Sequence, residues 1–230
     1  MILQYSIIVT TSLLLIFSFA LGIFSLSRNP KSKIMISWFL ASMAVTIWSL
    51  GYLLSTQSPN ETVAFYTLKI VYFGASLIPI FTFNFIVNFL YLNVRLKYLL
   101  YAGYIIGFIF LLLNTGTTYV ISGSRYLENF GRYEEIATPY FYIFLLYFGF
   151  FTFFSIGLLI NAYFKSDGIR KRQIFFISIA LIIGFGGGIS NFVTDLTGIY
   201  PYGQMVVWLY PVLVTYGIFV DEFKFKLKFN

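Results

Sequence analysis

The residues able to carry acid–base or nucleophilic chemistry are few. The 230-residue chain has no His and no Cys, against fifteen Lys or Arg and eight Asp or Glu. Without imidazole or thiolate the commonest metal ligands and the usual haem ligands are missing, so no metal site and no cofactor is expected. The most costly charge is Lys69, which stands inside a long apolar run. An ammonium at depth in hydrocarbon costs ~2.5–3.5 kcal/mol on insertion scales. Two readings remain open for it. Its flexible stem could snorkel to the headgroups, or its charge could face the bundle interior and meet Asp195, at the end of a later apolar run, across a pocket open to the outside.

Other polar residues in apolar runs are Asn84, Asn88, Asn161 and Asn191. Asn84 and Asn88 are four apart and share a helix face. Such side chains serve as interhelical hydrogen-bond donors, worth ~0.6 kcal/mol each on average. Gly184-Phe185-Gly186-Gly187-Gly188 lies within an apolar run, with no strand before it, so it is no phosphate loop. Gly184 and Gly188 have the small-xxx-small spacing that lets helices approach closely. Pro79 and Pro211 fall within apolar runs and are candidate hinges. Asn60-Glu61-Thr62 matches a glycosylation sequon, which matters only in a eukaryotic secretory pathway.

The elements that must position these residues follow from composition. Hydrophobic residues make up 59% of the chain, charged residues 10%, and mean hydropathy is +0.85. A soluble domain is about a quarter charged, so lipid is the solvent for most of this surface. At roughly 20 apolar residues per span, the length allows about seven helices and no soluble catalytic domain. The runs are Leu3 to Leu26, Ile34 to Leu54, Ala64 to Leu92, Tyr98 to Leu113, Tyr140 to Phe164, Ile174 to Val193 and Gln204 to Val220. Backbone groups in hydrocarbon must be satisfied within the segment, and the alternation of a barrel is absent, so the fold class is all-α. The first run lacks a basic n-region and a cleavage site and is read as a retained span. Tyr5, Tyr52, Tyr98, Tyr101, Tyr140 and Tyr163 lie near span ends, as interfacial anchors do.

Orientation follows from basic residues. Arg28, Lys31, Lys33, Arg95, Lys97, Lys165, Arg170, Lys171, Arg172, Lys224, Lys226 and Lys228 fall on one side, while only Arg125 and Arg132 fall on the other. The positive-inside rule then places the N-terminus outside and the C-terminus in the cytoplasm. The longest loop, Asn114 to Pro139, is external. Tyr119-Val120-Ile121, then Ser122-Gly123-Ser124, then Arg125-Tyr126-Leu127 predict a short hairpin turning at the glycine. Residues 1–220 form the membrane domain. Residues 221–230 are a cytoplasmic tail whose alternating Phe and Lys suit a short strand, an anionic-lipid contact, the stub of a further domain or a disordered end.

In order along the chain stand Arg28-Asn29-Pro30, Trp38, Trp48, Phe65-Tyr66-Thr67-Leu68-Lys69, Tyr72-Phe73-Gly74, Pro79 with Phe81, Arg170-Lys171-Arg172-Gln173, Asn191-Phe192, Tyr200-Pro201-Tyr202-Gly203 and Tyr210-Pro211. With this set the sequence resembles the N-terminal seven-helix sensor region of bacterial histidine kinases, which also occurs ahead of diguanylate cyclase domains. The resemblance covers roughly residues 5 to 220. It implies a signal-input module in the inner (plasma) membrane, in which a small or membrane-borne cue shifts helix packing and the seventh helix passes the change to a cytoplasmic output.

Lys69, Tyr72, Trp48, Asn191, Asp195 and Tyr200 are the candidate signal pocket; Gly184, Gly188, Pro79 and Pro211 are the candidate packing or hinge positions. With no histidine the chain holds no phospho-acceptor, so it is not expected to be an enzyme. It would be a truncated or split gene, or act with a separate kinase or cyclase partner; a homodimer is compatible, and nucleic acid is not a partner. The alternative is a small transporter or channel, for which the charges are few and peripheral. A retinal protein would need a lysine in the seventh span, and Gln204 to Val220 has none. An intramembrane enzyme lacks the usual constellations.

Overall fold

The computed structural model describes residues 2–128, 130–197 and 201–227, with side chains over 5–128, 130–191 and 201–221. The elements run α1 (Ile2–Arg28), α2 (Lys33–Thr56), α3 (Glu61–Phe89), α4 (Lys97–Gly116), β1 (Ile121–Leu127), β2 (Arg132–Ala137), α5 (Pro139–Phe164), α6 (Gly168–Thr197), a 3-10 turn (Tyr202–Met205) and α7 (Leu209–Leu227). Among the described residues, six helices are long and apolar enough to cross a membrane, and the apolar part of α7, Leu209–Asp221, is shorter. Short connections between consecutive long helices make them antiparallel neighbours.

Local chemistry sets several ends. The Asn60 side chain accepts from the Val63 N–H at 3.0 Å, with Glu61 in the first turn of α3; this is an N-cap with an acid at the positive end of the helix dipole. The sequon asparagine is therefore occupied in capping. Thr138 caps α5 ahead of Pro139, accepting from the Tyr140 N–H, while its hydroxyl donates to the Tyr119 carbonyl and ties the loop to the helix. The far end of α3 closes with Tyr91 in the left-handed region (φ 59°), the Leu92 N–H reaching the Val87 carbonyl at 2.8 Å and the Tyr91 N–H the Asn88 carbonyl at 3.1 Å. That is a Schellman cap with tyrosine where glycine is usual.

α3 lies at the centre, packed on α2, α4, α5 and the hairpin. Its approach to α2 depends on two glycines. A Cβ on Gly51 would lie 2.5 Å from the Val71 nitrogen, and one on Gly74 2.5 Å from the Trp48 nitrogen. Small residues let helix backbones touch, which is how helices gain contact in lipid. Aromatic side chains fill the rest, among them Phe83 against Phe151 (5.2 Å) and Phe110 stacked on Tyr147 (5.2 Å). Buried Ser49 and Ser155 are satisfied within their helices, donating to the Val45 and Phe151 carbonyls, four residues back.

Several sequence expectations change. The hairpin forms, but the chain reverses between Leu127 and Arg132, where Gly131 takes φ 64°; Ser122-Gly123-Ser124 lies inside β1, at a register shift between Ile121 and Gly123. The helix geometry puts Pro211 in the first turn of α7, not mid-span; there its missing N–H has no intrahelical partner to lose, so no kink follows. Asn88 donates to Asn84 within α3, to the side-chain oxygen at 2.9 Å and the carbonyl at 3.0 Å, so this pair is intrahelical. Tyr52 is buried in the core, unlike the exposed Tyr5, Tyr98, Tyr101 and Tyr140. α3 passes through Pro79 without a break, and residues 221–227 continue α7 as helix.

Candidate functional site

The β1–β2 hairpin does not stand free of the bundle. Ser124 of β1 donates to the Glu61 carbonyl at the start of α3 (2.8 Å), and β2 packs on α2 and α3. This contact buries three charged residues of β2: Arg132, Glu134 and Glu135 are 2%, 5% and 7% exposed. Arg132 pairs with Glu134 and lies over the Tyr52 ring, 5.3 Å from its centroid. Glu135 accepts a hydrogen bond from the Tyr72 hydroxyl of α3. Burial pushes the Glu134 carboxyl up to about 7, and the neighbouring Glu135 adds to this while Arg132 opposes it. The ordinary cause is desolvation, which disfavours the charged form of an acid.

Beneath these carboxylates lies a cavity of about 70 Å³. Leu14 of α1, Val45, Trp48 and Tyr52 of α2, and Leu68, Val71, Tyr72, Ala75 and Ile78 of α3 line it, with Phe148 of α5. α6 adds Gly184, Phe185, Gly188 and Asn191; Val207 and Tyr210 complete it from the approach to α7 and its first turn. Among the described residues, Glu134 and Glu135 are its charged lining. Trp48 stacks on Tyr52 (5.3 Å, 13° between planes), forming one aromatic wall.

A hydrogen-bonded chain leads away from this cavity. The Tyr52 hydroxyl donates to Asn191 Oδ1 (3.2 Å), Asn191 Nδ2 donates to Gln204 Oε1 (3.0 Å), and Gln204 Nε2 donates to Thr11 Oγ1 (3.2 Å). It joins α2, α6, the 3-10 turn and α1. The glycines of α6 allow the turn to come close. A Cβ on Gly187 would lie 2.2 Å from Val207 Cγ2 and 2.6 Å from the Gly203 carbonyl oxygen, and one on Gly184 2.7 Å from the Tyr210 ring. A Cβ on Gly188 would meet nothing within 4 Å. The packing pair is therefore Gly184 with Gly187, and Gly188 leaves room in the cavity. The i, i+4 spacing pointed to the wrong partner because the segment packed on α6 is a 3-10 turn, not a second straight helix.

Trp48, Tyr72 and Asn191, expected at a pocket, do line one. Lys69 is not in the lining of this cavity: its ammonium donates to the Thr117 carbonyl at the C-terminus of α4 and lies over the Phe65 ring at 4.9 Å. The helix dipole favours a cation there. The side chain of Asp195 and all of Tyr200 lie outside the described residues, and with them the Lys69–Asp195 pairing. Sequence reading missed Tyr52, Gln204, Glu134 and Glu135. A Glu-Glu pair in a loop reads as solvated, and the one available signal was its place in a strand of β-forming residues. Among the described residues no group of three or more His, Cys, Asp or Glu could hold a metal ion.

At the opposite end of the bundle a second polar set joins three helices. Arg170 of α6 donates to the Phe89 carbonyl at the end of α3, with its guanidinium 4.0 Å from the Phe89 ring centroid. Arg170 also donates to Gln173 Oε1 (3.2 Å), and Gln173 Nε2 donates to the Ile218 carbonyl of α7 (3.2 Å).

A comparison with curated proteins finds no match. A family model described as the N-terminal 7TM region of histidine kinase matches residues 9–224, nearly the whole chain and every helix described above. The long apolar helices and this match make the molecule a multi-pass membrane protein. The chain belongs to the family of N-terminal 7TM regions of histidine kinases.

Proposed function

We propose that this chain is a membrane-embedded signal-input module, itself non-catalytic. Seven helices cross the inner (plasma) membrane with the N-terminus outside and the C-terminus in the cytoplasm. A small or membrane-borne cue acts at the hairpin end, and α7 transmits the response to a cytoplasmic kinase or cyclase output, as a domain or a partner. The observation that carries this reading is the chain Tyr52–Asn191–Gln204, which runs from the cavity to the turn just ahead of α7. A change in the cavity alters this set, and the turn it holds aims the last helix. Family membership supports the sensor role. The basic residues of the three short connections at the end opposite the hairpin support the orientation.

The test joins Asn230 to the phosphotransfer and ATP-binding domains of a histidine kinase and follows phosphorylation in membranes. Gln204→Leu and Asn191→Leu are expected to change output while the fusion stays membrane-inserted. Output indifferent to both, or a reporter at Asn230 exposed outside the cytoplasm, would sink the reading. Solute flux in proteoliposomes would favour a transporter or channel instead.

A further inference from the structure

We infer that the cavity beneath the hairpin binds a small organic cation, an ammonium group on a short apolar body, with its charge held at Glu134 and Glu135. This deepens the sensor reading and rests on it for biological meaning, though binding itself is measured without any output domain.

The charge inventory is the first ground. Two carboxylates line the cavity, and both are more than nine-tenths buried. Arg132 is not among the lining residues; it pairs with Glu134 from the side of the Tyr52 ring. Arg125, paired with Glu134 in the hairpin register, is exposed to solvent. With Glu134 ionised, the buried set of Glu134, Glu135 and Arg132 carries one net negative charge, and its positive member is the one off the lining. An anion would be repelled, and a neutral guest would leave the carboxylates desolvated with no added counter-charge.

The walls are the second ground. Trp48 stacked on Tyr52 offers the aromatic face on which a desolvated cation is held, and Arg132 already uses the Tyr52 ring in this way. Val45, Val71, Ile78 and Phe148 give an apolar surface for the rest of the guest. A hard inorganic cation takes ~6–8 oxygen ligands and gains nothing from apolar walls. Size is the third ground. At about 70 Å³ the space is roughly half that of an engineered cavity of ~150 Å³ that takes benzene, so the guest has few heavy atoms.

Binding is linked to protons. A cation favours ionised Glu134, whose proton it displaces, so affinity rises as pH passes through neutrality. Among the described residues, the charged and titratable groups packed around Glu134 are Arg125 of β1, Arg132 and Glu135 of β2, Tyr52 of α2 and Tyr72 of α3.

The experiment titrates the full chain in lipid nanodiscs with n-butylammonium, and with 1-butanol and butyrate as neutral and anionic isosteres. Tryptophan fluorescence and calorimetry give the readout. Butylammonium should bind about tenfold or more tighter than 1-butanol at about pH 8, and weaken about tenfold on going to about pH 6; butyrate should not bind. Glu134→Gln and Glu135→Gln should each abolish the preference for the ammonium. Gly188→Leu, which fills the cavity and leaves both carboxylates, should block binding while the thermal melt stays cooperative. Equal binding of butylammonium and 1-butanol, preference for butyrate, or no binding of any of the three overturns the proposal. These comparisons on the unaltered protein hold even where a variant fails to fold. Loss of the cation site with the kinase fusion still responding to Gln204→Leu would leave the sensor reading standing; the reverse outcome would leave a binding site with no transmitted output.

Discussion

Glu134 shows how a single residue departs from what its neighbours in sequence suggest. In the folded protein its carboxyl holds a proton up to about pH 7, against an ordinary value of 4.5. Between these values the folded state binds more proton than the unfolded one. Stability is therefore fully present below about pH 4.5 and is lost as pH rises through 7. A shift of this size corresponds to about 3 kcal/mol at most. Thermal melts in detergent should fall between about pH 5 and about pH 8, and Glu134→Gln should flatten that slope. An unchanged slope in the variant would place the titrating group elsewhere. Lys69 departs in the other direction. It stood out in the sequence as the costliest charge, and the fold gives it a structural role at the end of α4.

At the scale of elements, the glycines of α6 separate packing from space. Gly187 touches Val207 and Gly203, and no side chain fits between them. Gly187→Val should force the 3-10 turn away from α6 and cost about 1–3 kcal/mol, as overpacking does. Gly188→Ala faces open space and should change the melt little. Scanning fluorimetry of the two variants checks this, and equal loss in both would refute the assignment. The hairpin teaches a related lesson. Its β-forming residues made it legible, but the turn was expected at Gly123 and lies beside Gly131. The register decided between them, since Arg125 must pair with Glu134 and Tyr126 with Tyr133.

Across the whole molecule, two polar sets sit at opposite ends of a shared helix pair. Tyr52–Asn191–Gln204 ties α6 to the approach to α7 near the cavity. Arg170–Gln173 ties α6 to the end of α3 and to α7 at the far end. Movement of α6 against α7 would strain both sets. Gln173→Leu removes the far link to the Ile218 carbonyl without touching the cavity. In the kinase fusion it should shift basal output severalfold while butylammonium affinity, read separately, stays unchanged. A shift in affinity of the same size would show that Gln173 acts on the cavity and not on transmission.

The sequence by itself determined the seven apolar segments, the side bias of the basic residues, the lack of imidazole and thiol groups and the family. These are properties of composition and order, and lipid as solvent forces them: each apolar stretch of sufficient length must become a helix, and each charge must find water or a partner. Only the tertiary structure decided which polar residues meet. Trp48, Tyr72 and Asn191 could be named from their place in a resemblance, but Tyr52 looked like an anchor and Gln204 like the opening residue of the last span. Their roles depend on how far each helix is rotated about its axis, which an all-round apolar helix does not encode in its periodicity. Glu134 and Glu135 depend on a hairpin that folds down onto α2 and α3. That docking turned an acidic pair in a loop into the charged lining of the cavity.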